Sequence, residues 1–278
     1  MTPAHLTVVG ANGFIGSRLV QHLRTAGYRC DAIARGDNWH GRPLGHVVFC
    51  AGVTGDFRTR PLDAIDAHVC LLADLVRTGS FESLVYLSST RVYKRHDTAP
   101  AHEDDQLRVD PQDPDDLYEI SKLAGETIAL GSSRRAHVVR LSNVYGDAFD
   151  QPGFLFAVLH AAVSTGRIEL QTSGASCRDF VAIGDVVPLV TRIALGGTQR
   201  VYNIASGANL TSGEVAGAIA RLSGAQVIMP AGAPTVSFPR IDVDRIRREF
   251  GVTPRSLLDD LPRLVDAAAT HWSRRAHC

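Results

Sequence analysis

Tyr118 and Lys122 are the residues of this chain whose types and spacing most directly predict chemistry. On a helix, a separation of four places both side chains on one face, one turn apart. A nearby ammonium group favours the phenolate and lowers the pKa of a tyrosine, which suits acid–base chemistry at neutral pH. Ser89, at the end of an apolar run, can hydrogen-bond the same substrate oxygen. The alternative is a packed aromatic at Tyr118 and a turn residue at Ser89.

A glycine-rich segment, residues 10–16 (GANGFIG), follows the apolar run Leu6–Val9 and opens a stretch with helical apolar spacing. In such a strand–turn–helix unit, the first glycine permits the tight turn and the second lets backbone approach a pyrophosphate. The third allows the helix to pack against the strand, and the helix N-terminus attracts phosphates. This position favours a dinucleotide site over a plain turn. Its predicted cofactor-binding residues are Gly10, Asn12, Gly13, Phe14, Ile15 and Gly16.

Apolar runs and helical periodicities alternate along the first 150 residues, which predicts a parallel sheet covered on both faces and an α/β class. The predicted strands are 6–9, 29–34, 46–51, 83–88 and 136–141, and the predicted helices lie near 14–26, 61–77 and 115–131. Beyond this point the pattern loosens. It predicts a short strand at 168–170 and helices near 154–165, 185–195, 211–222 and 257–268.

Several further motifs follow in order and connect the chain to a known family. They are 50–52 (CAG), 88–93 (SSTRVY), 140–146 (RLSNVYG), 178–181 (RDFV) and 202–207 (YNIASG). With the glycine loop and the Tyr118/Lys122 pair, they resemble the extended short-chain dehydrogenase/reductases, which include nucleotide-sugar epimerases, dehydratases and 4-keto reductases. The resemblance implies a Rossmann-type doubly wound dinucleotide-binding domain in residues 1–150. It also implies a small α/β, mainly substrate-binding lobe in residues 151–278, with some segments returning to the first domain.

The resemblance implies a catalytic set of Ser89, Tyr118 and Lys122. Tyr118 would donate a proton to a ketone oxygen as hydride arrives from the nicotinamide, or remove it in reverse. Lys122 would lower the pKa of Tyr118 and bind the nicotinamide ribose. Ser89 is preferred to Ser88 because relatives place the catalytic hydroxyl four residues before the tyrosine that stands here as Tyr93. The remaining predicted cofactor contacts are Cys50, Ala51, Gly52 and Ser88, together with Tyr118 and Lys122.

The end of the second strand bears on the choice of nucleotide. An acidic residue there bonds the ribose hydroxyl of NAD, whereas an arginine suits the 2′-phosphate of NADP. Ala34 replaces the acid and Arg35 follows it, so we expect NADP, with NAD as the alternative if Arg35 merely points into solvent. Residues 36–46 are too few for the strand and helix that relatives fit here, and Asp37 or Asn38 is a candidate adenine contact.

The residues after Ser89 restrict the reaction. Relatives acting as 4,6-dehydratases carry an Asp-Glu pair where this chain has Thr90 and Arg91. Relatives that epimerise and reduce use a Cys in place of Arg91 plus a later His, and residues 147–150 contain no His. Ketone reduction with NADPH and 4-epimerisation with a retained cofactor remain. Arg91 either binds an anionic substrate group such as a carboxylate or forms a structural ion pair with Glu103 or Asp104.

The predicted lobe adds two candidate substrate contacts. Arg178 resembles the family arginine that contacts the nucleotide-sugar diphosphate, and Asn143 resembles an asparagine near the same group. Alternatively, Arg178 forms a buried ion pair with Asp179 or Asp185, and Asn143 is a turn residue before Gly146. The predicted substrate-binding residues are therefore Thr90, Arg91, Asn143 and Arg178.

Composition limits the partners. Equal numbers of basic and acidic residues argue against nucleic acid or an anionic membrane, and no apolar run approaches the roughly 20 residues of a membrane span. Five scattered cysteines lack metal-ligand spacing, and no signal peptide fits, so we expect reduced thiols, no metal and a cytoplasmic protein. A homodimer through helices 61–77 and 115–131 is expected from the resemblance. We interpret His68 as a core histidine.

The sequence is also compatible with two other functions. One is reduction of a non-sugar ketone in secondary metabolism. The other is a non-catalytic NADP sensor, although relatives with that role typically lose the Tyr118/Lys122 pair that this chain keeps.

Overall fold

The structure is a computed structural model that describes residues 3–53, 57–97 and 99–275. The strands are β1 (His5–Val9), β2 (Arg29–Ile33), β3 (His46–Phe49), β4 (Ser83–Ser89), β5 (Arg135–Leu141), β6 (Asn143–Tyr145), β7 (Arg167–Glu169), β8 (Cys177–Ala182), β9 (Val201–Ile204), β10 (Asn209–Thr211) and β11 (Gln226–Ile228). The helices are α1 (Phe14–Thr25), α2 (Pro61–Ile65), α3 (Leu71–Thr78), α4 (Leu117–Gly131), α5 (Phe154–Thr165), α6 (Ile183–Gly196), α7 (Ser212–Ser223), α8 (Asp244–Phe250) and α9 (Leu257–Arg275).

The central sheet has six parallel strands in the order β2-β1-β3-β4-β5-β9. Its inner strands are nearly continuous apolar runs, as expected for a sheet covered on both faces. The five predicted strands are all present, and the predicted α/β parallel architecture is confirmed. The sixth strand, β9, was not predicted as a strand. It has only four residues, and its place beside β5 depends on a long-range connection.

Alternate residues of each strand face opposite sides of the sheet. Val8 packs in a core that includes Leu19 of α1 and Val190 of α6, whereas Val9 packs in the core on the other side. That second core includes Leu72 and Leu75 of α3, both fully buried within the chain. The apolar face of the predicted dimer helix is thus partly used inside the protomer.

A loop replaces the missing strand and helix between β2 and β3. Trp39 of this loop is buried in the α3-side core, and its indole Nε1 donates to Thr78 Oγ1 at 3.1 Å. Leu44 is also fully buried, and its carbonyl oxygen accepts from Thr7 Oγ1 at 2.7 Å. The two side chains and these hydrogen bonds pack the loop against the sheet.

The C-terminal half builds a second core. Helices α5, α7 and α9 pack together and against two small sheets, β10-β8-β6 and β11-β7. We call these elements the second lobe. Strands β6, β8, β10 and β11 were not predicted as strands. Three of them, β6, β10 and β11, have only three residues each, and all four gain their hydrogen bonds from distant segments. Within the described residues, no helix combines the length and apolar character needed to span a membrane.

Candidate active site

The glycine-rich loop joins the carboxyl end of β1 to α1 at the edge of the sheet. Gly10 has φ +86°, and a Cβ there would lie 2.6 Å from the main-chain nitrogen of Ala51. A Cβ on Gly16 would lie 2.2 Å from the carbonyl oxygen of Gly10. Both positions therefore require glycine, because any side chain would separate the loop from the strand ends around it.

The first turn of α1 offers main-chain donors at this edge. No side chain in the described part of the chain caps the helix at Gly13, and its first turn contains no acidic residue. Unpaired N–H groups and the helix dipole give such an end a partial positive charge that attracts phosphate. The close backbone packing at Gly10 and this open helix end fit a dinucleotide pyrophosphate. The predicted contacts Asn12, Phe14 and Ile15 lie on the same turn.

The segment after β3 forms the next wall of the site. A Cβ on Gly52 would lie 3.0 Å from His68 Nε2 and 3.5 Å from Lys122 Nζ, so this backbone lies directly against the predicted catalytic lysine. Burial raises the pKa of the Cys50 thiol to about 12, which leaves it a neutral packed side chain. Residues 50–52 thus lie between the glycine loop and α4.

Tyr118 and Lys122 lie on the first turns of α4, and both are almost fully buried. Lys122 Nζ donates to the carbonyl oxygen of Leu87 at 3.0 Å and lies 5.9 Å from the centre of the Tyr118 ring. Burial lowers the pKa of Lys122 to about 7, opposed by the nearby Glu126. The lysine is therefore only partly charged at neutral pH.

Burial raises the pKa of Tyr118 to about 12, although hydrogen bonding with Ser89 and the charge of Arg91 act in the opposite direction. The expectation that Lys122 lowers this pKa is not met here, because loss of hydration outweighs the neighbouring charges and Lys122 is itself hard to protonate. At neutral pH the phenol is protonated.

Ser88 and Ser89 end β4 and face opposite sides of it. Ser89 Oγ accepts from the main-chain nitrogen of Arg91 at 3.2 Å, which orders the short 3₁₀ turn that starts at Thr90. Ser88 Oγ donates to Glu126 Oε1 at 2.5 Å and is buried away from Ser89. Because its hydroxyl is bonded to Glu126, Ser88 could make the predicted cofactor contact only through its main chain.

The predicted helix 61–77 is divided into α2, a π-helical turn at Asp66–Cys70, and α3. The wider turn carries the fully buried His68, whose Nδ1 lies 2.8 Å from Ser121 Oγ on α4. Single π turns inside α-helices often occur at functional sites. The ring of His68 also meets the Tyr118 ring edge-on, with 5.4 Å between centres.

Arg91 pairs with a residue that the sequence did not suggest. Its Nη2 lies 2.7 Å from Glu119 Oε1, whereas the expected partners Glu103 and Asp104 both lie near Arg245. The expected pairing was therefore wrong. Glu119 is adjacent to Tyr118 in the chain, so its nearness to the site was readable, but its pairing depends on how the 3₁₀ turn meets α4.

Arg178 makes neither of the ion pairs considered for it. In the described part of the chain it has no carboxylate within 4.0 Å, and its guanidinium lies 4.5 Å from the Phe154 ring centre. Asp179 instead accepts the main-chain N–H groups of Ser206, Gly207 and Ala208.

Asp185, the other carboxylate considered as a partner of Arg178, pairs with Arg255 at 3.1 Å. Both candidate partners are therefore engaged elsewhere. Arg178 Nε is buried without a hydrogen-bond acceptor among the described residues, and loss of hydration lowers the pKa of this guanidinium. Asn143 Nδ2 donates to the carbonyl oxygen of Asp179 at 2.8 Å, which joins β6 to β8. Phe238, a further neighbour of Arg91, lies in a loop that gave no sequence signal.

The fold and this arrangement define an extended short-chain dehydrogenase/reductase. The NAD dependent epimerase/dehydratase family matches residues 42–205, more than half of the chain, and the protein belongs to that family.

Relatives in this family act on nucleotide sugars. The chain is 25% identical over 303 residues to a dTDP-4-dehydro-6-deoxy-D-allose reductase of Streptomyces sp, covering 90% of this chain and 91% of that protein. It is also 25% identical to the dTDP-glucose 4,6-dehydratase of Streptomyces griseus, covering 92% and 91%. Among solved structures, MoeE5 in complex with UDP-glucose and NAD superposes with a TM-score of 0.78 at 26% identity, covering 99% of this chain and 100% of that one.

Proposed function

We propose that this protein catalyses hydride transfer between a nicotinamide cofactor and a carbon of a nucleotide-activated sugar, either reducing a keto group or epimerising a hydroxyl carbon. The observation that carries the proposal is the position of Ser89, Tyr118 and Lys122. Tyr118 and Lys122 share the first turns of α4, Ser89 hydrogen-bonds Tyr118, and residues 50–52 pack between Lys122 and the glycine turn at Gly10.

The bound cofactor would supply or accept the hydride, and the protein residues would bind and orient the reactants. The glycine loop and the first turn of α1 would hold its pyrophosphate, and residues 50–52 would lie along it. Lys122 would bind the nicotinamide ribose. Ser89 would hydrogen-bond the reacting oxygen of the substrate.

Tyr118 would then donate its proton to the oxygen of a ketone. A phenol with a pKa of about 12 is fully protonated at pH 7, which is the form that a proton donor needs. This protonation state favours the reductive direction. In an epimerase, the same residue would first have to remove a proton, which a lower pKa would assist.

The substrate class rests on Arg178 and on the relatives. A partly buried guanidinium whose Nε has no acceptor, and which has no carboxylate partner in the described chain, is expected to gain stability from an anion such as a diphosphate. The two Streptomyces relatives act on dTDP-linked sugars by their names, and MoeE5 was solved with UDP-glucose. A reductase of non-sugar ketones would leave Arg178 without this role.

For the cofactor we favour NADP(H). Arg35 follows β2 and makes no ion pair with any described residue, so its fork is free for a 2′-phosphate. One feature favours NAD(H) instead. Asp37 Oδ2 accepts the Ala34 N–H at 2.7 Å, which returns a carboxylate to the end of β2. MoeE5 was solved with NAD.

The deciding experiment is to denature the purified protein, identify released nucleotide by absorbance and mass spectrometry, and titrate the protein with NADPH and NADH. Retained NAD(H) supports a 4-epimerase and contradicts the Arg35 argument. Empty protein that binds NADPH more tightly supports a dissociable-cofactor reductase, to be assayed with keto-sugar nucleotides. A protein that binds NADPH but turns over no ketone would support the sensor alternative. Dimerisation through α3 and α4 is a separate prediction, to be tested by light scattering.

A further inference from the structure

Arg91 is a fixed cation beside the reacting group. Its guanidinium lies 5.4 Å from the centre of the Tyr118 ring and 5.4 Å from that of Phe57. Glu119 lies behind it, 2.7 Å from Nη2, with a side chain only 2% exposed against 31% for Arg91. The carboxylate is therefore enclosed by protein, while the Arg91 side chain is partly exposed.

The pair is not a completed structural salt bridge. Nη2 and the carboxyl oxygen are close but poorly aligned, and both oxygens of Glu119 lack an aligned donor among the described residues. The Arg91 Nε–H is likewise buried without an acceptor in that part of the chain. A buried ion pair that serves stability alone usually satisfies such groups with further hydrogen bonds. In this pair, by contrast, the Arg91 guanidinium has an N–H group without an acceptor among the described residues.

A second arginine adds to the positive charge near Arg91. Burial lowers the pKa of the Arg178 guanidinium, and the charge of Arg91 lowers it further, so the two guanidiniums repel each other. The Arg91 guanidinium also lies 5.7 Å from the ring centre of Phe238. The main-chain N–H of Phe238 donates to the carbonyl oxygen of Cys177 in β8 of the second lobe. Among the described residues, Glu119 is the only carboxylate within 4.0 Å of either arginine.

The geometry points to an anion subsite at Arg91 for a carboxylate carried by the sugar itself, so that the substrate is a nucleotide-linked acidic sugar such as a hexuronic acid. This inference rests on the proposed function. Arg91 stacks on the residue that would protonate the reacting oxygen, so its ligand must lie close to the reacting carbon. The diphosphate is left to Arg178. A carboxylate matches the planar fork of a guanidinium, and the charge of Glu119 attracts Arg91 to this position.

The test compares three probes, UDP-glucuronic acid, UDP-glucose and UDP, by calorimetry with cofactor present. We expect the wild type to bind UDP-glucuronic acid at least about tenfold more tightly than UDP-glucose, as a charge-assisted contact would give. Arg91→Met should remove this preference and leave the UDP and UDP-glucose affinities within about twofold. Arg91→Lys keeps the charge without the fork and should keep part of the preference.

Arg108→Met is the matched control, because Arg108 pairs with Asp97 on the exposed surface. It should change no affinity. Retained UDP binding shows that each variant is folded. Equal affinity of the wild type for both sugars, or an equal loss for all three probes in Arg91→Met, would overturn the carboxylate subsite and leave the proposed function standing. The wild type is also titrated with dTDP-glucose; if neither this compound nor any of the three UDP probes binds, the proposed function fails as well.

Discussion

The imidazole of His68 accepts a hydrogen bond from the main-chain N–H of Val53, with 3.2 Å between Val53 N and Nε2. Because a main-chain N–H only donates, Nε2 must be unprotonated and Nδ1 must carry the proton. Nδ1 then donates to Ser121 Oγ at 2.8 Å, and that hydroxyl donates to the carbonyl oxygen of Tyr118. A neutral histidine thus ties the segment after β3 to the helix that carries Tyr118.

This arrangement makes stability fall in acid. Burial lowers the pKa of His68 to about 2, against 6.5 in the unfolded chain. Below pH 6.5 the His68 imidazole binds a proton in the unfolded chain but not in the folded chain. The free energy of unfolding therefore falls by about 1.4 kcal/mol for each pH unit below about 6.5. We expect the stability advantage of the wild type over His68→Asn, measured by urea unfolding, to shrink from pH 7 to pH 5. Parallel pH profiles would contradict this.

Tyr118→Phe should abolish most turnover, because it removes the proposed proton donor and changes nothing else of similar size. We expect kcat to fall by about a hundredfold or more, with a much smaller loss of cofactor affinity. Ser89→Ala should give a smaller loss, since it removes one hydrogen bond to the reacting oxygen. Pre-steady-state rates with a keto-sugar nucleotide provide the measurement. A loss confined to KM would show that these residues only bind the substrate.

Gly10→Ala should weaken both the fold and cofactor binding. The new Cβ would approach the main-chain nitrogen of Ala51 to 2.6 Å, in addition to the strain of φ +86°. Gly27→Ala is the matched control, because Gly27 has φ +82° with no described atom within 4 Å of the new Cβ. Both should lose about 1–3 kcal/mol through strain.

In urea unfolding, Gly10→Ala should lose more stability than Gly27→Ala. Only Gly10→Ala should also bind NADPH or NADH poorly. Equal effects of the two variants would mean that the close packing of the glycine loop against the end of β3 is unimportant.

Arg35→Ala and Asp37→Asn should shift cofactor preference in opposite directions. Loss of the Arg35 charge should weaken NADPH by about tenfold, as removal of a charge-assisted contact would, and leave NADH unaffected. Asp37→Asn can still accept the Ala34 N–H but no longer repels a 2′-phosphate, so NADPH should bind more tightly. Fluorescence titration measures both. An Arg35→Ala protein that retains full NADPH affinity would assign Arg35 to solvent alone.

Much of the site was predictable because its chemistry depends on local pattern. The glycine loop works through backbone that approaches its neighbours closely, and Gly10 is recognisable from its place between an apolar strand and a helix. Tyr118 and Lys122 share a helix face through their spacing alone. The apolar strands of the central sheet were likewise read from runs that need burial on both faces.

The sequence by itself therefore determined the parallel α/β architecture, the glycine turn between β1 and α1, and the helix face of Tyr118. Only the tertiary structure decided that Glu119 rather than Glu103 pairs with Arg91. It also decided that Trp39, in the loop between β2 and β3, is buried against the central sheet. It also decided the protonation of Tyr118 and Lys122, because their pKa values follow from burial. Periodicity reports on neighbours a few residues apart, whereas burial and charge pairing depend on segments that meet only when the chain packs.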